Sequence, residues 1–243
     1  MKDKYKAYVE TFDIGLYEIQ FRYEHSLRVE KICLEIADYY QLNKSLKEIL
    51  EVVGLLHDYS RFKQWHLYKT FSDHDSFNHA DEAVKDLFEK GEIKNFYSKE
   101  ENYDVIKNAI YYHNKLSVPK ELDYNTRLVS NIIRDADKLD IFYLYTLNKD
   151  FIKTDKSPIN EELKKDFKKH TLLDRKKALS DNDYILTELA YVFDINYKYS
   201  YEKLKKENYI NKIYEEMDNK EIFKPFIDEI NEYIEMRVNE NDR

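Results

Sequence analysis

Only 3 Gly and 3 Pro interrupt 243 residues, and that scarcity constrains the fold more than any other feature. Strands joined by tight turns consume Gly, Pro and Asn, which supply the backbone angles those turns need. A chain so poor in breakers is expected to run as helices joined by short polar links, so the expected class is all-α. The length is sufficient to bury a substantial core. Much of the apolar volume comes from 23 Tyr and 13 Phe.

Periodicity supports this reading. Over 21–41, His25, Val29, Ile32, Cys33 and Ile36 recur at spacings of three and four and share one face. Residues 43–45 offer a cap for the next helix, 46–57, whose end VVGLLHD is apolar almost all round, as in a buried core helix. The stretch 59–78 has no clean period and is expected to be irregular; a loop that long in a compact domain is commonly functional. Helical signals resume at 79–89 and stop at Gly91. Further helices are expected over 103–114 and 126–147. The polar segment 148–160, with Pro158, is the expected boundary between a domain at 1–150 and a helical extension at 151–243. That extension could cap a site, pack as further helices or mediate oligomerisation.

The net charge of −8 gives no overall basic field for nucleic acid. The pairs Lys164-Lys165, Lys168-Lys169 and Lys176-Lys177 are interleaved with acids and read as a solvated face, so stable nucleic-acid binding is not expected. The single cysteine, Cys33, permits no intrachain disulfide and fits a reducing cytosol. The start MKDKYKAYVE lacks the apolar core of a signal peptide. No stretch approaches the roughly 20 apolar residues of a membrane span. The expectation is a cytoplasmic protein.

Six residues stand out: His25, His57, Asp58, His79, His113 and Asp137. His25 and His113 fall on apolar faces, His57-Asp58 ends the most apolar helix, and Asp137 is four residues from both Ile133 and Ile141. A carboxylate facing a core is costly unless paired or metal-bound. Mutual pairing into a structural hydrogen-bond network is the plain alternative. Metal binding accounts better for the residue types: imidazole and carboxylate suit Fe, Mn, Co, Ni or Zn, with Mg also possible. The absence of thiolate argues against a structural zinc site.

The order His25, then His57-Asp58, then Asp137, with RDADKLD at 134–140, resembles the HD domain of metal-dependent phosphohydrolases. His79 and His113 fall where two-metal members carry extra ligands. The runs HDYSRF and TFSDHDSFNHA resemble a bacterial subgroup of that superfamily. The resemblance covers about residues 20–147 and implies a helical bundle of about five core helices, with the C-terminal helices added to it. It also implies hydrolysis of a phosphate ester or anhydride, commonly in a nucleotide. Carried over, His25, His57, Asp58 and Asp137 would hold one divalent transition-metal ion. His79 and His113 would hold a second, with Asp58 as the bridge and a central catalytic group.

Further roles follow from the same motifs. Arg61 could grip a phosphate with its forked donors or form a surface ion pair. Lys138 could reach a phosphate oxygen or neutralise Asp140. His66, Asp73 or His74 could serve as general acid, or each could be solvated. Phe62, Trp65, Tyr68 and Phe71 could form a stacking wall for a base, or anchor the loop to the core. Two other functions share the pattern. The six-ligand arrangement also resembles mixed-valent di-iron oxygenases, and a non-catalytic ligand-sensing module is a second alternative.

Overall fold

A computed structural model of the protein describes residues 1–240 and is all-α, with no strand among them. The chain divides into two compact units, Met1–Ala136 and the residues from Asp137 onward. No helix among the described residues is long and apolar enough to cross a membrane.

The first unit is built on α1 (Lys2–Val9), α2 (Tyr17–Tyr39), α3 (Lys44–Leu56), α4 (Arg61–Tyr68), α5 (His79–Val84) and α6 (Tyr103–Tyr112). Helix α7 (Tyr124–Leu147) contains the border between the units. Asn43 caps α3 by accepting from the Leu46 backbone N–H at 3.0 Å, as its position before the apolar run predicts. Helix α3 packs most extensively on α2, α6 packs on α3, and α5 packs on α6. The α2–α3 crossing is close because Gly54 lies against Glu30: a Cβ at Gly54 would come within 2.6 Å of the Glu30 Cα. Helix α5 continues through one wide turn, Lys85–Glu89, and the chain reverses at Gly91 with φ +78°.

One expectation fails here. The stretch 59–78 is not irregular throughout, because Arg61–Tyr68 forms α4. Its inward face is short and half polar, Phe62 beside Gln64, so an apolar period is hidden. Phe62 is fully buried against Tyr5, Tyr8 and Phe12. Gln64 is equally buried and is satisfied by Asp73, Ser76 and the Phe77 carbonyl. Lys69, at φ +55°, ends the helix, and 69–78 is non-helical.

The second unit has its own core. Helices α8 (Glu161–Phe167), α9 (Asp181–Leu189), α10 (Lys198–Glu207), α11 (Tyr209–Glu215) and α12 (Lys220–Asn239) carry it, with α10 and α11 both packed on α12. Phe167 meets Phe193 and Phe226 edge-on, and the buried Tyr201 donates its hydroxyl to the Ile195 carbonyl at 2.7 Å. Lys164, Lys168 and Lys169 each pair with an acid of this unit.

Candidate metal centre

Three of the histidines of the first unit stand at helix ends. His57 follows the last residue of α3, His113 follows the last residue of α6, and His79 opens α5. His25 lies within α2, brought close to the end of α3 by the tight Gly54 crossing. All four, and Asp58, are nearly fully buried.

They converge as two triads that share one carboxylate. His25, His57 and Asp58 form one potential ligand group, and Asp58, His79 and His113 form the other. His25 Nε2 and His57 Nε2 are 3.2 Å apart, and His79 Nε2 and His113 Nε2 are 3.0 Å apart. Asp58 Oδ2 lies 3.7 and 3.9 Å from the first pair of nitrogens. Its other oxygen, Oδ1, lies 3.5 and 3.9 Å from the second pair. Each oxygen therefore faces a different histidine pair.

The outer ring nitrogens reveal what the inner ones can do. His57 Nδ1 is 2.9 Å from the Gly54 carbonyl and His113 Nδ1 is 2.6 Å from the Ile110 carbonyl. A carbonyl only accepts, so both rings carry a proton on Nδ1. In the neutral ring that leaves a lone pair on Nε2. His79 Nδ1 is 2.7 Å from Asp73 Oδ2, and the same logic bares its Nε2. Burial and the Arg61 charge draw the proton affinity of His79 below the ordinary imidazole value, against Asp73 and Asp58, so the ring is neutral near pH 7. Two facing lone pairs 3.0 Å apart repel unless a cation, either a proton or a metal ion, sits between them. Nitrogens about 2.1 Å from one ion at a right angle are about 3.0 Å apart, so the spacing suits a shared metal. The donor set, imidazole with carboxylate, fits divalent transition metals.

Asp58 is an anion in this setting. Burial pushes its pKa up, but His57, Arg61, Arg22 and His79 outweigh burial and hold the carboxyl well below the usual range. Arg22, which the sequence reading missed, places Nη1 3.2 Å from Asp58 Oδ2 and lies over the Phe71 ring. Its signal was its position three residues before His25, on the same face of α2.

Arg61 is not in a surface ion pair; its side chain is 13% exposed. Nη1 reaches Gln64 Oε1, the Phe71 carbonyl and Asp73 Oδ1 at 2.7–2.8 Å. The opposite edge faces the centre, with Nε 3.5 Å from Asp58 Oδ1 and Nη2 3.4 Å from His79 Nε2. Arg134, opening the RDADKLD run, crosses to the end of α6 and donates to the carbonyls of Tyr112, His113 and Lys115. These are helix-end acceptors that lack a helical partner, so the motif arginine fixes the segment bearing His113.

The loop candidates resolve individually. Asp73 bonds to His79 and Arg61, and those contacts lower its pKa to about 2 against the effect of burial. Held ionised in this way, Asp73 acts as an acceptor toward His79 and Arg61. His74 is exposed and pairs with Asp75, and His66 is exposed beside Phe12. Phe62 anchors α4 in the core. Trp65 stacks on Phe71 at 5.0 Å and Tyr68 meets Phe77 edge-on, so these rings pack chiefly on one another.

Asp137 and Lys138 belong to the second unit. Asp137 is partly buried, and Glu188 of the same unit feels its charge. Lys138 is buried and pairs with Asp194 at 2.7 Å, so its ammonium is directed to that acid.

Residues 22–141 match the family model described as the HD domain. No curated protein and no solved structure matches the chain.

Proposed function

We propose, from the premise that this chain carries an HD domain, the mark of a family of metal-dependent phosphohydrolases, at residues 22–141, that it hydrolyses a phosphate ester or anhydride of a small molecule at a dinuclear centre. The observation that carries the reading is the shared carboxylate: Asp58 turns one oxygen to His25 and His57 and the other to His79 and His113. Asp137 is assigned to the first group by its position in the sequence motif. Bound divalent ions would supply Lewis-acid charge for a phosphoryl group and lower the pKa of the attacking water.

The protein's own residues do the rest. In the net reaction water oxygen bonds to phosphorus, the bond from phosphorus to the leaving oxygen breaks, and the leaving group gains a proton. Asp58 holds the two halves in register. Arg61, with Nη1 anchored by three acceptors, presents its Nε–Nη2 edge to the centre, the edge suited to a forked bond with a phosphate. Arg22 offers a second guanidinium on the Oδ2 side. Two guanidiniums beside one carboxylate favour an anionic substrate, and a nucleotide is the class we propose. Lys138 is retained as a candidate through the motif alone.

The test is phosphate release across nucleoside mono-, di- and triphosphates and cyclic nucleotides, with Mn, Co, Ni, Fe, Zn and Mg added in turn. Metal-dependent release under anaerobic conditions is expected. Oxygen consumption with a polyol or phosphonate, without phosphate release from any nucleotide, would replace this reading with the oxygenase. Ligand binding without turnover would replace it with a sensing module.

A further inference from the structure

Asp73 lies in the non-helical stretch 69–78, and both of its oxygens are committed to the centre. Oδ2 accepts from His79 Nδ1 at 2.7 Å. Oδ1 accepts from Arg61 Nη1 at 2.8 Å and from Gln64 Nε2 at 3.1 Å. One carboxylate thus fastens a proposed ligand and the guanidinium beside it.

The need for this clasp follows from where His79 sits. His57 and His113 each close a helix, and each donates Nδ1–H to a carbonyl three residues back in its own helix, Gly54 and Ile110. A histidine at the C-terminal end of a helix can reach such a carbonyl, as these two do. His79 is the first residue of α5, so no helical turn precedes it and no such carbonyl is available. An external acceptor must select its tautomer and orient its ring. Asn114 Nδ2, 3.4 Å from His79 Nδ1, is too long and too poorly suited to do so, since an amide N–H cannot accept. A carboxylate acceptor also makes the inner nitrogen a better donor to a cation than a carbonyl does.

We propose that Asp73 is the positioning residue for His79, and that it sets the affinity of the His79–His113 half of the centre for a divalent cation. Orientation of His79 in that half then depends on the 69–78 stretch being folded against α4 and α5, whereas the His57 ring is oriented by the Gly54 carbonyl of its own helix. The inference rests on the dinuclear reading above, because it requires a cation between His79 and His113.

The experiment is a Co2+ titration of the full chain, followed by calorimetry and by the visible absorption of the bound ion. Wild type, Asp73→Ala and Asp73→Asn are compared. Wild type should bind two ions. In Asp73→Ala the second binding step should weaken about 10- to 100-fold while the first is unchanged, in line with the loss of an outer partner of a metal-bound histidine. Asp73→Asn, which keeps an accepting oxygen without the charge, should fall between them and guards against a folding artefact. In the metal-free protein, nitrogen NMR should report His79 as the Nδ1–H form in wild type, with that preference lost in Asp73→Ala. Two ions bound equally well by wild type and Asp73→Ala would overturn the role of Asp73 and leave the dinuclear reading intact. Equal weakening of both steps would overturn it as well, since it would mark a general loss of structure. A wild-type protein that binds one ion or none would contradict the dinuclear reading and this inference together.

Discussion

His57 donates its outer nitrogen to Gly54, in its own helix, while His79 donates to Asp73, in a loop six residues upstream. Each side of Asp58 carries a pair of histidines, and the inner nitrogens are spaced alike, at 3.2 and 3.0 Å. What differs is the support. The His25–His57 side rests on the two most intimately packed helices of the unit, α2 and α3. The His79–His113 side rests on the short helix α5, the end of α6, a loop carboxylate and an arginine brought from α7. Equivalent candidate ligands can thus depend on fold elements of very different robustness, and loss of local structure should open one side before the other.

Substitutions on the two sides should have unequal consequences. The largest effect is expected from Asp58→Ala, which removes the oxygen facing each side: phosphate release should fall to background and both metal equivalents should be lost, while circular dichroism reports a retained helical fold. Next, His25→Ala and His79→Ala should each leave one metal equivalent, read by elemental analysis; a variant that loses both or neither would erase the distinction between the sides. Gly54→Ala should cost about 1–3 kcal/mol in chemical denaturation, as overpacking does, because the new Cβ meets backbone at Glu30. It should weaken the His25–His57 side more than the other. The smallest effect on metal content is expected from Arg134→Met, which strips the α6 carbonyls of a charged donor at a cost of about 1–3 kcal/mol in stability and should loosen the His79–His113 side selectively.

How much of this could be read from the sequence depended on the same difference in support. His25 lies on the apolar face of α2 and His57 directly follows the apolar helix α3, both with a clear period, and the scarcity of Gly and Pro pointed to the helical class. His79 and His113 could be placed through the order of the motif. Their supports could not, because Asp73, Arg61 and Gln64 act through contacts between a loop and a helix that carry no period. Helix α4 was hidden for a related reason: its buried Gln64 reads as a solvent-facing residue until its four partners are known. Arg22 was overlooked because an arginine in a long polar-faced helix is ordinarily solvated, and only the structure shows it directed at Asp58 over Phe71.

The central claim is that a shared carboxylate organises two cation positions that the chemistry requires. Elemental analysis of the purified protein, paired with phosphate release before and after chelation, tests it most directly. About two transition-metal equivalents per chain are expected, with activity lost with the metal and restored by adding it back. A metal-free protein that hydrolyses its substrate at full rate would contradict it.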